Sequence, residues 1–386
     1  MNHRFVHYSM AFLMQLFISV GALAAPLLAT RLGASSFELG MMGALGAATY
    51  AFTVIFAGTL SDKFGRKQVI LAGTLFTGFA FGIMPLSRIP LHLIILTGLS
   101  GIAMAFYWPV LEAWMSEEGD PEHVRQEMSA FNVSWSTGGF IGPLVGGFLF
   151  TFSSTLAFLF AAAGVLPVAY LALSHTRPTS CVSPSPETAA TAAENGAAIV
   201  KRSFLYVIWI ANFASWFAIS EIRVLFPKLG LAELGMQPWL IGILIFILSL
   251  ALAAMFYALS VLKRWHNTVA PLLYSQIVIF VLLLVTAASD SPVVLGLAFA
   301  GLGAGFAVPY SYSLYFSVVG SANKGAASGR HEMVLGTGGL LGPLLGGVAA
   351  EILRNQRAPY VLGAAFILIS LIVQGFVLSS RRGSQA

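Results

Sequence analysis

The feature that most constrains this chain is a series of apolar runs that recurs from one end to the other. Each run holds about 20 residues, which as an α-helix is enough to cross a hydrocarbon core of roughly 30 Å. Backbone polar groups in lipid must be satisfied internally, so runs of this length predict an all-α membrane protein. We predict about twelve spans, at roughly 8–30, 39–57, 68–86, 92–114, 128–150, 155–175, 203–227, 238–260, 268–289, 293–318, 330–351 and 358–380.

Composition excludes a soluble domain. Only 9% of the 386 residues are charged and 58% are hydrophobic, whereas soluble domains carry about 25% charged residues. The net charge of +5 belongs to loop residues that set orientation, and we expect no nucleic-acid partner. Most Lys and Arg residues lie on the side of both termini. We therefore expect an integral protein of a bacterial-type inner (plasma) membrane with both termini in the cytoplasm.

The first span has an alternative interpretation as a secretory signal. Residues 1–24 combine Arg4, an apolar stretch and a small-residue site that resembles a cleavage site. The apolar stretch continues to Thr30, however, and its removal would leave the first half of the chain one span short. We therefore interpret it as the first transmembrane helix.

A change of composition divides the chain. Residues 176–202 are rich in Ala, Pro, Ser and Thr, which is typical of a flexible linker. We predict an N-terminal six-helix bundle over 1–175, a cytoplasmic linker over 176–202 and a C-terminal six-helix bundle over 203–386.

The two halves repeat in sequence. Gly101, Phe106 and Pro109 recur 200 residues later, as do seven residues of the next span. Those seven are Thr137, Gly138, Gly139, Gly142, Pro143, Gly146 and Gly147, which recur as Thr337, Gly338, Gly339, Gly342, Pro343, Gly346 and Gly347. A direct repeat of six-helix halves predicts a pseudo-two-fold axis along the membrane normal, with a substrate cavity on that axis.

Acidic residues within the spans indicate which helices line a cavity. Ionised groups are costly in lipid and normally face water or a partner. Glu112, Glu221 and Glu332 lie in the fourth, seventh and eleventh spans, whereas the third, sixth, ninth and twelfth contain no Asp, Glu, Lys or Arg. We expect these last four helices to face lipid and the other eight to line the interior.

Glu332 is the first candidate for a substrate or proton site. The repeat relates it to Asn132, so both are expected to face the predicted axis, and Trp135 lies one turn beyond Asn132. Trp135 is suited to stacking on an apolar or aromatic substrate. The alternative is that Glu332 only favours the helix dipole at its N-terminus, near Arg330 and His331.

Two further pairs belong to the predicted cavity. Glu112 is related by the repeat to Tyr312, although Glu112 has the alternative of reaching the membrane surface. Glu221 and Arg223 are two residues apart and point to different helix faces, so each needs a partner on another helix or access to water.

Metal and cofactor sites are not expected. His331 is followed by Glu332 as in zinc-protease helices, but the second His that this motif needs is Leu335 here. No set of a nucleophile, a base and a metal ligand converges, which argues against the rival class of a polytopic membrane enzyme or a sensor. We expect no enzymatic activity.

A charged turn joins the second and third spans. It runs Gly-Thr-Leu-Ser-Asp-Lys-Phe-Gly-Arg-Lys, and Gly58 and Gly65 are expected to allow close approach and a sharp turn. Asp62 and Arg66 are four residues apart and are expected to reach different partners. The alternative is a plain basic loop, which Arg66 and Lys67 would also fit.

This turn resembles the signature loop of the major facilitator superfamily, Gly-x-Leu-x-Asp-Arg-x-Gly-Arg-Lys, with Lys63 in place of the first Arg. The resemblance implies that Asp62 faces the start of the eleventh helix and that Arg66 pairs with an acid at the end of the fourth, here Glu117. A carboxylate near a helix N-terminus gains about 0.3–1 kcal/mol. These contacts would gate the cytoplasmic side. Alternatively, Glu117 belongs to a solvated acidic loop.

The fifth span resembles the glycine-proline motif of the family's antiporters through Gly138, Gly142, Pro143, Gly146 and Gly147. The alternative is generic helix packing, and the copy of the motif in the eleventh span weakens the antiporter inference. The motifs are nearest to those of proton-coupled exporters, although Thr97 stands where such exporters often carry Arg.

The resemblance implies a secondary active transporter that works by alternating access. We expect proton-coupled export of small amphipathic compounds, with a small-molecule substrate and protons as partners, in a monomer embedded in the bilayer. The alternative within this class is a proton-coupled importer of a metabolite such as a sugar or organic acid.

Overall fold

A computed structural model describes residues 3–116, 121–174, 202–262, 265, 268–318 and 324–382. Within these residues the regular structure is entirely helical. Twelve helical segments are long and apolar enough to cross a membrane, which confirms the predicted fold class. The linker residues 176–201 lie outside the described part of the chain.

In the described part of the chain, thirteen α-helices make up the twelve spans, because the sixth span is divided at Gly164. They are α1 (His3–Arg31), α2 (Ser36–Phe64), α3 (Arg66–Ile83), α4 (Pro90–Ser116), α5 (Pro121–Phe152), α6 (Ser154–Ala163), α7 (Val165–Ser174), α8 (Arg202–Lys228), α9 (Pro238–Val261), α10 (Ala270–Ala288), α11 (Pro292–Val318), α12 (Lys324–Ile352) and α13 (Ala358–Arg382). A π-helical turn over Leu229–Glu233 extends the seventh span beyond its predicted end.

The start of α2 shows how local sequence sets a boundary. The Ser35 hydroxyl accepts a hydrogen bond from the Glu38 backbone N–H at 3.1 Å, and the Glu38 carboxylate accepts one from the Ser35 N–H at 2.8 Å. This capping box satisfies two backbone donors that the first helical turn leaves open. The capping box therefore sets the start of α2 at Ser36, and only residues 32–35 separate it from the end of α1.

Contacts divide the chain into two compact units. The first contains the described part of Met1–Val182 together with Arg223–Phe246, and the second contains the described part of Ser183–Ile222 together with Ile247–Ala386. The end of α8 and the start of α9 thus pack with the first six spans. The division into bundles at 1–175 and 203–386 stays a prediction.

In the first unit a stripe of glycines brings α5 against α1. Gly138, Gly142 and Gly146 are four residues apart and lie on one helix face. A Cβ atom at these positions would lie 2.4 to 3.0 Å from the backbone oxygens of Phe12, Leu16 and Val20. The absence of side chains at the stripe is therefore what permits backbone-to-backbone packing.

The second unit contains the same seam between α12 and α8. A Cβ atom at Gly338 would lie 3.0 Å from the Phe213 backbone oxygen, and one at Gly342 would lie 2.2 Å from that of Phe217. The sequence repeat is thus a repeat of packing within each unit.

A buried polar cluster ties together α8, α10 and α13 of the second unit. The Gln276 side-chain N–H donates to the Ala211 carbonyl at 2.9 Å, and its side-chain oxygen accepts from Ser370 at 3.0 Å and from Gln374 at 2.7 Å. α10 and α13, two of the four helices predicted to face lipid, therefore also carry polar side chains on their buried sides.

Candidate functional site

The structure points the two neighbouring candidates His331 and Glu332 in different directions. His331 is fully buried, with Nδ1 2.8 Å from the Ser313 hydroxyl of α11 and its ring edge-on to Tyr310 at 4.9 Å. Glu332 is exposed. Successive residues of an α-helix differ by about 100° in direction, which accounts for the separation.

A cavity of about 290 Å³ lies between α8 and α12 in the second unit. Its lining residues are Tyr206, Trp209, Ile210, Phe213, Met333, Val334 and Thr337. Arg330 places its guanidinium 6.0 Å from the centre of the Trp209 ring, whose N–H donates to the Ser317 hydroxyl at 2.9 Å. The lining is almost wholly apolar and aromatic, which suits an apolar guest.

The sequence alone does not reveal this cavity, but it contains a signal. Tyr206, Trp209 and Phe213 are spaced by three and four residues, as on one face of a helix. Such a stripe is more often a packing face, and only the structure shows that it borders empty space.

Asn132 and Trp135 lie on α5 of the first unit, and both side chains are exposed. The Trp135 ring contacts Trp108 of α4 edge-on at 6.4 Å, and Trp108 in turn contacts Phe131 at 6.2 Å. Trp135 therefore has a fixed aromatic neighbour and a free face. A shared cavity for Asn132 and Glu332 stays a prediction, because the two residues belong to different units.

Glu112 and Tyr312, which the repeat relates, occupy different environments. Glu112 is exposed on α4. Tyr312 is fully buried, and its hydroxyl lies 2.6 Å from the Trp265 carbonyl and 2.7 Å from the Thr268 carbonyl. Tyr312 thus anchors the segment between α9 and α10 to α11.

Glu221 and Arg223 also differ. Arg223 is exposed, whereas Glu221 is fully buried. One Glu221 carboxylate oxygen lies 2.5 Å from where a Cβ atom of Gly363 in α13 would be. Neither carboxylate oxygen has a hydrogen-bond partner among the described residues. A buried carboxylate without a partner is costly when charged.

The charged turn between α2 and α3 is closed by Gly65, whose φ of 91° favours glycine. Its N–H donates to the Ser61 carbonyl at 3.0 Å. Asp62 and Arg66 form a salt bridge with each other at 2.7 Å. The prediction that Asp62 and Arg66 reach different partners is therefore incomplete. The two also contact each other, because the turn places the start of α3 beside the end of α2.

Neighbouring groups hold both sides of this turn. The Arg66 guanidinium also donates to the Ser61 hydroxyl, and the Lys67 ammonium donates to the Leu173 carbonyl at the end of α7 at 2.7 Å. Glu117, the acid that the resemblance assigns to Arg66, lies outside the described residues.

Gly58 differs from its expected role. It is exposed, and a Cβ atom added there would meet no described atom within 4 Å. Close backbone approach therefore does not explain this glycine in the described conformation.

The second part of the fifth-span motif packs against α9. A Cβ atom at Gly147 would lie 2.8 Å from the Gly242 Cα, and one at Gly242 would lie 2.5 Å from the Pro143 carbonyl. The Trp239 N–H donates to the Thr151 hydroxyl at 3.0 Å. Near the same end of the spans, the Lys228 ammonium donates to the Ala34 carbonyl at 2.7 Å.

Comparison with known proteins extends these observations. The sequence pattern of the Major Facilitator Superfamily matches residues 8–329. Multidrug resistance protein 1 of Bacillus subtilis (strain 168) is 26% identical over 364 residues, which cover 92% of this chain and 91% of that protein. Multidrug resistance protein 2 of the same organism is 23% identical over 342 residues, which cover 87% of this chain and 84% of that protein.

Among solved structures, the nucleoside transporter NupG aligns with a TM-score of 0.77 over 98% of this chain and 99% of that one. The sequence identity is 12%, so this likeness concerns the fold alone.

Proposed function

The chain belongs to the Major Facilitator Superfamily, and we propose that it exports small amphipathic compounds in exchange for protons by alternating access. Three features support the proposal. The two Bacillus subtilis relatives bear names that describe multidrug resistance. The fifth span resembles the antiporter motif, and an apolar, aromatic cavity lies in the second unit.

The observation that carries proton coupling is the position of Glu221. Its carboxyl group is fully buried beside Gly363, without a hydrogen-bond partner among the described residues. Burying an unpaired charge costs several kcal/mol, so movement of such a group between dry and wet surroundings drives proton uptake and release. That exchange is what an antiporter needs in order to link a proton gradient to conformational change.

Glu332 and Glu112 are assigned to the other end of the proton route. Both side chains are exposed, and we assign them to the water-facing part of the proton route. Glu332 lies on α12 and Glu112 on α4, and acids at these depths mark transport pathways more often than packing positions.

Gating is assigned to the turn between α2 and α3. Three glycines have open space where a Cβ atom would lie: Gly58 on α2, and Gly329 and Gly336 on α12. We propose that they form helix contacts in a conformation of the transport cycle other than the described one, since glycine permits close helix approach.

The test uses purified protein in proteoliposomes with an imposed pH gradient and the fluorescent cation ethidium. Wild type is expected to move ethidium against its gradient as protons move the other way, which an internal pH dye records. Glu221→Gln is expected to lose gradient-driven transport by about tenfold or more, since a single lost coupling of 1.4 kcal/mol already gives tenfold. Downhill ethidium exchange should remain.

Controls separate the acids. Glu233→Gln removes an exposed carboxylate of the same span and should behave as wild type. Glu332→Gln is expected to weaken coupling as well. Unchanged gradient-driven transport in Glu221→Gln would exclude it as the coupling site, and co-movement of dye and protons would instead indicate an importer.

A further inference from the structure

Glu221 lies where three helices of the second unit meet. One of its carboxylate oxygens is 2.5 Å from the position that a Cβ atom of Gly363 would take, and the Leu283 Cδ1 atom is 3.6 Å from that same position. The carboxyl group of α8 therefore lies at the contact between α10 and α13. It is fully buried, so water reaches it only if the helices around it open.

An arginine holds the same two helices together closer to their shared end. Arg357, one residue before α13, donates from its guanidinium to the Ala287 carbonyl at 2.9 Å and to the Ser289 carbonyl at 3.3 Å. It also donates to the Asp290 carboxylate, with which it forms a salt bridge. Groups at or just after the end of α10 thus hold the start of α13. We call Arg357 and Asp290 the α10–α13 clasp.

The clasp lies beyond the carboxyl group of Glu221 on both helices. Ala287 is four residues, or about 6 Å of helix, beyond Leu283 on α10. On α13, Tyr360 follows Arg357 by three residues, one turn before the contact with Glu221, and it is fully buried. About one turn of α10 and two turns of α13 therefore separate the clasp from the carboxyl group, and a buried aromatic side chain lies among them.

The exposure of the clasp suits it to opening. The Asp290 side chain is 75% exposed and that of Arg357 is 24% exposed. An ion pair with one partner in water contributes little net stability, so its release requires little free energy.

The loop that carries the clasp is held more firmly. Arg354 adopts a φ of 49°, which is strained for a residue other than glycine. The Asn355 side chain accepts a hydrogen bond from the Arg357 N–H at 2.9 Å. The backbone thus has a fixed position from which the Arg357 guanidinium is able to move.

We propose that the α10–α13 clasp is the gate through which water reaches Glu221. Its release exposes the carboxyl group for proton exchange, and its closure returns the group to dry surroundings. This assignment rests on proton-coupled export and gives the proton route one of its openings. Under the predicted orientation the opening faces the side opposite the termini, from which such an exporter takes up protons. Arg357 is a positioning residue, because its side chain acts on α10 rather than on Glu221 directly.

The test is labelling of Glu221 by a water-soluble carbodiimide together with glycine methyl ester. The carboxyl group adds to the carbodiimide, and the amine then displaces a urea and leaves an amide, which peptide mass spectrometry detects. The full-length protein is labelled in micelles. Since the carboxyl group is buried, its labelling rate reports how often the site opens. Exposed Glu233 of the same span reports the activity of the reagent in every sample.

Two variants open the clasp by different amounts. Arg357→Gln removes all of the guanidinium bonds and should speed the labelling of Glu221 about tenfold, because loss of a hydrogen bond from a charged donor shifts an opening equilibrium by about that factor. Asp290→Asn keeps the two bonds to backbone carbonyls and should speed labelling about threefold. Since Asp290 is exposed, this variant provides a test even if Arg357→Gln does not fold.

Two controls separate the clasp from other causes. Arg354→Asn removes a positive charge from the same loop, and asparagine tolerates a positive φ, so Glu221 labelling should stay unchanged. Gly142→Ala weakens packing in the first unit and should leave the rate unchanged too. Faster labelling in Gly142→Ala would show that general unfolding, rather than the clasp, exposes Glu221.

Equal labelling rates in wild type and both clasp variants would overturn the proposal, as would an Arg354→Asn rate as high as that of Arg357→Gln. The rates are measured without a proton gradient or a transported compound. Their failure would therefore leave proton coupling by Glu221 in place. Conversely, unchanged transport in Glu221→Gln would reject that coupling without changing the labelling rates.

Discussion

The seam between α1 and α5 and the seam between α8 and α12 share a scaffold but differ in chemistry. In both seams, glycines pack against backbone oxygens. Gly142 lies against Leu16 in the first seam, and Gly342 lies against Phe217 in the second. Four residues after Leu16, α1 has Val20; four residues after Phe217, α8 has Glu221. The two seams thus share backbone packing, while the second carries an ionisable residue, Glu221, at a position where the first has Val20.

The largest expected effect comes from breaking the shared scaffold. Gly142→Ala and Gly342→Ala should each lower the free energy of unfolding by about 1–3 kcal/mol, because the added methyl group meets backbone atoms. Gly58→Ala is the matched control; with open space at its Cβ position, it should be neutral or gain up to about 1 kcal/mol in helix propensity. Denaturant unfolding in micelles measures all three, and equal losses would refute the seam.

The second prediction tests the difference between Val20 of the first seam and Glu221 of the second. Glu221→Val gives the second seam the residue of the first and removes a buried carboxyl group without a described partner. We expect the free energy of unfolding to rise by about 1 kcal/mol, while gradient-driven transport is lost. The same unfolding assay applies, together with ethidium transport. A marked loss of stability would instead reveal a partner for Glu221.

A smaller effect concerns how α10 is tied to α13 in the second unit. Gln276→Leu and Gln374→Leu should show a coupling energy of about 0.6 kcal/mol in a double-mutant cycle, which is the usual value for hydrogen bonds between membrane helices. Additive losses within the error of the unfolding measurement would mean that the 2.7 Å contact contributes no net stability.

The smallest change in stability is expected at the turn between α2 and α3. Asp62→Asn removes a salt bridge whose acid is 66% exposed, so unfolding should change by less than about 0.5 kcal/mol. Transport should nevertheless be crippled. Full ethidium transport in Asp62→Asn would leave the gating role without support.

Features set by local sequence were predictable. The twelve spans follow from hydropathy, the turn at Gly65 from glycine chemistry, and the paired glycine seams from the repeat. These depend on residues close in sequence or on a pattern that occurs twice.

Features set by distant neighbours were not predictable. Glu221 faces Gly363 and Tyr312 is hydrogen-bonded to Trp265 and Thr268, and neither partner follows from the spacing along one helix. The apolar cavity and the open surface at Gly58 likewise depend on how side chains from several helices fill space, which periodicity does not determine.

The contact between Gly147 and Gly242 has a consequence for leakage. Where two helices touch through their backbones, there is no side chain whose rotation would admit a chain of water molecules. Protons move rapidly along such chains. Under the proposed function, we expect this glycine seam to insulate one end of the spans against passive proton flow, so that the gradient is discharged only when the helix pair separates.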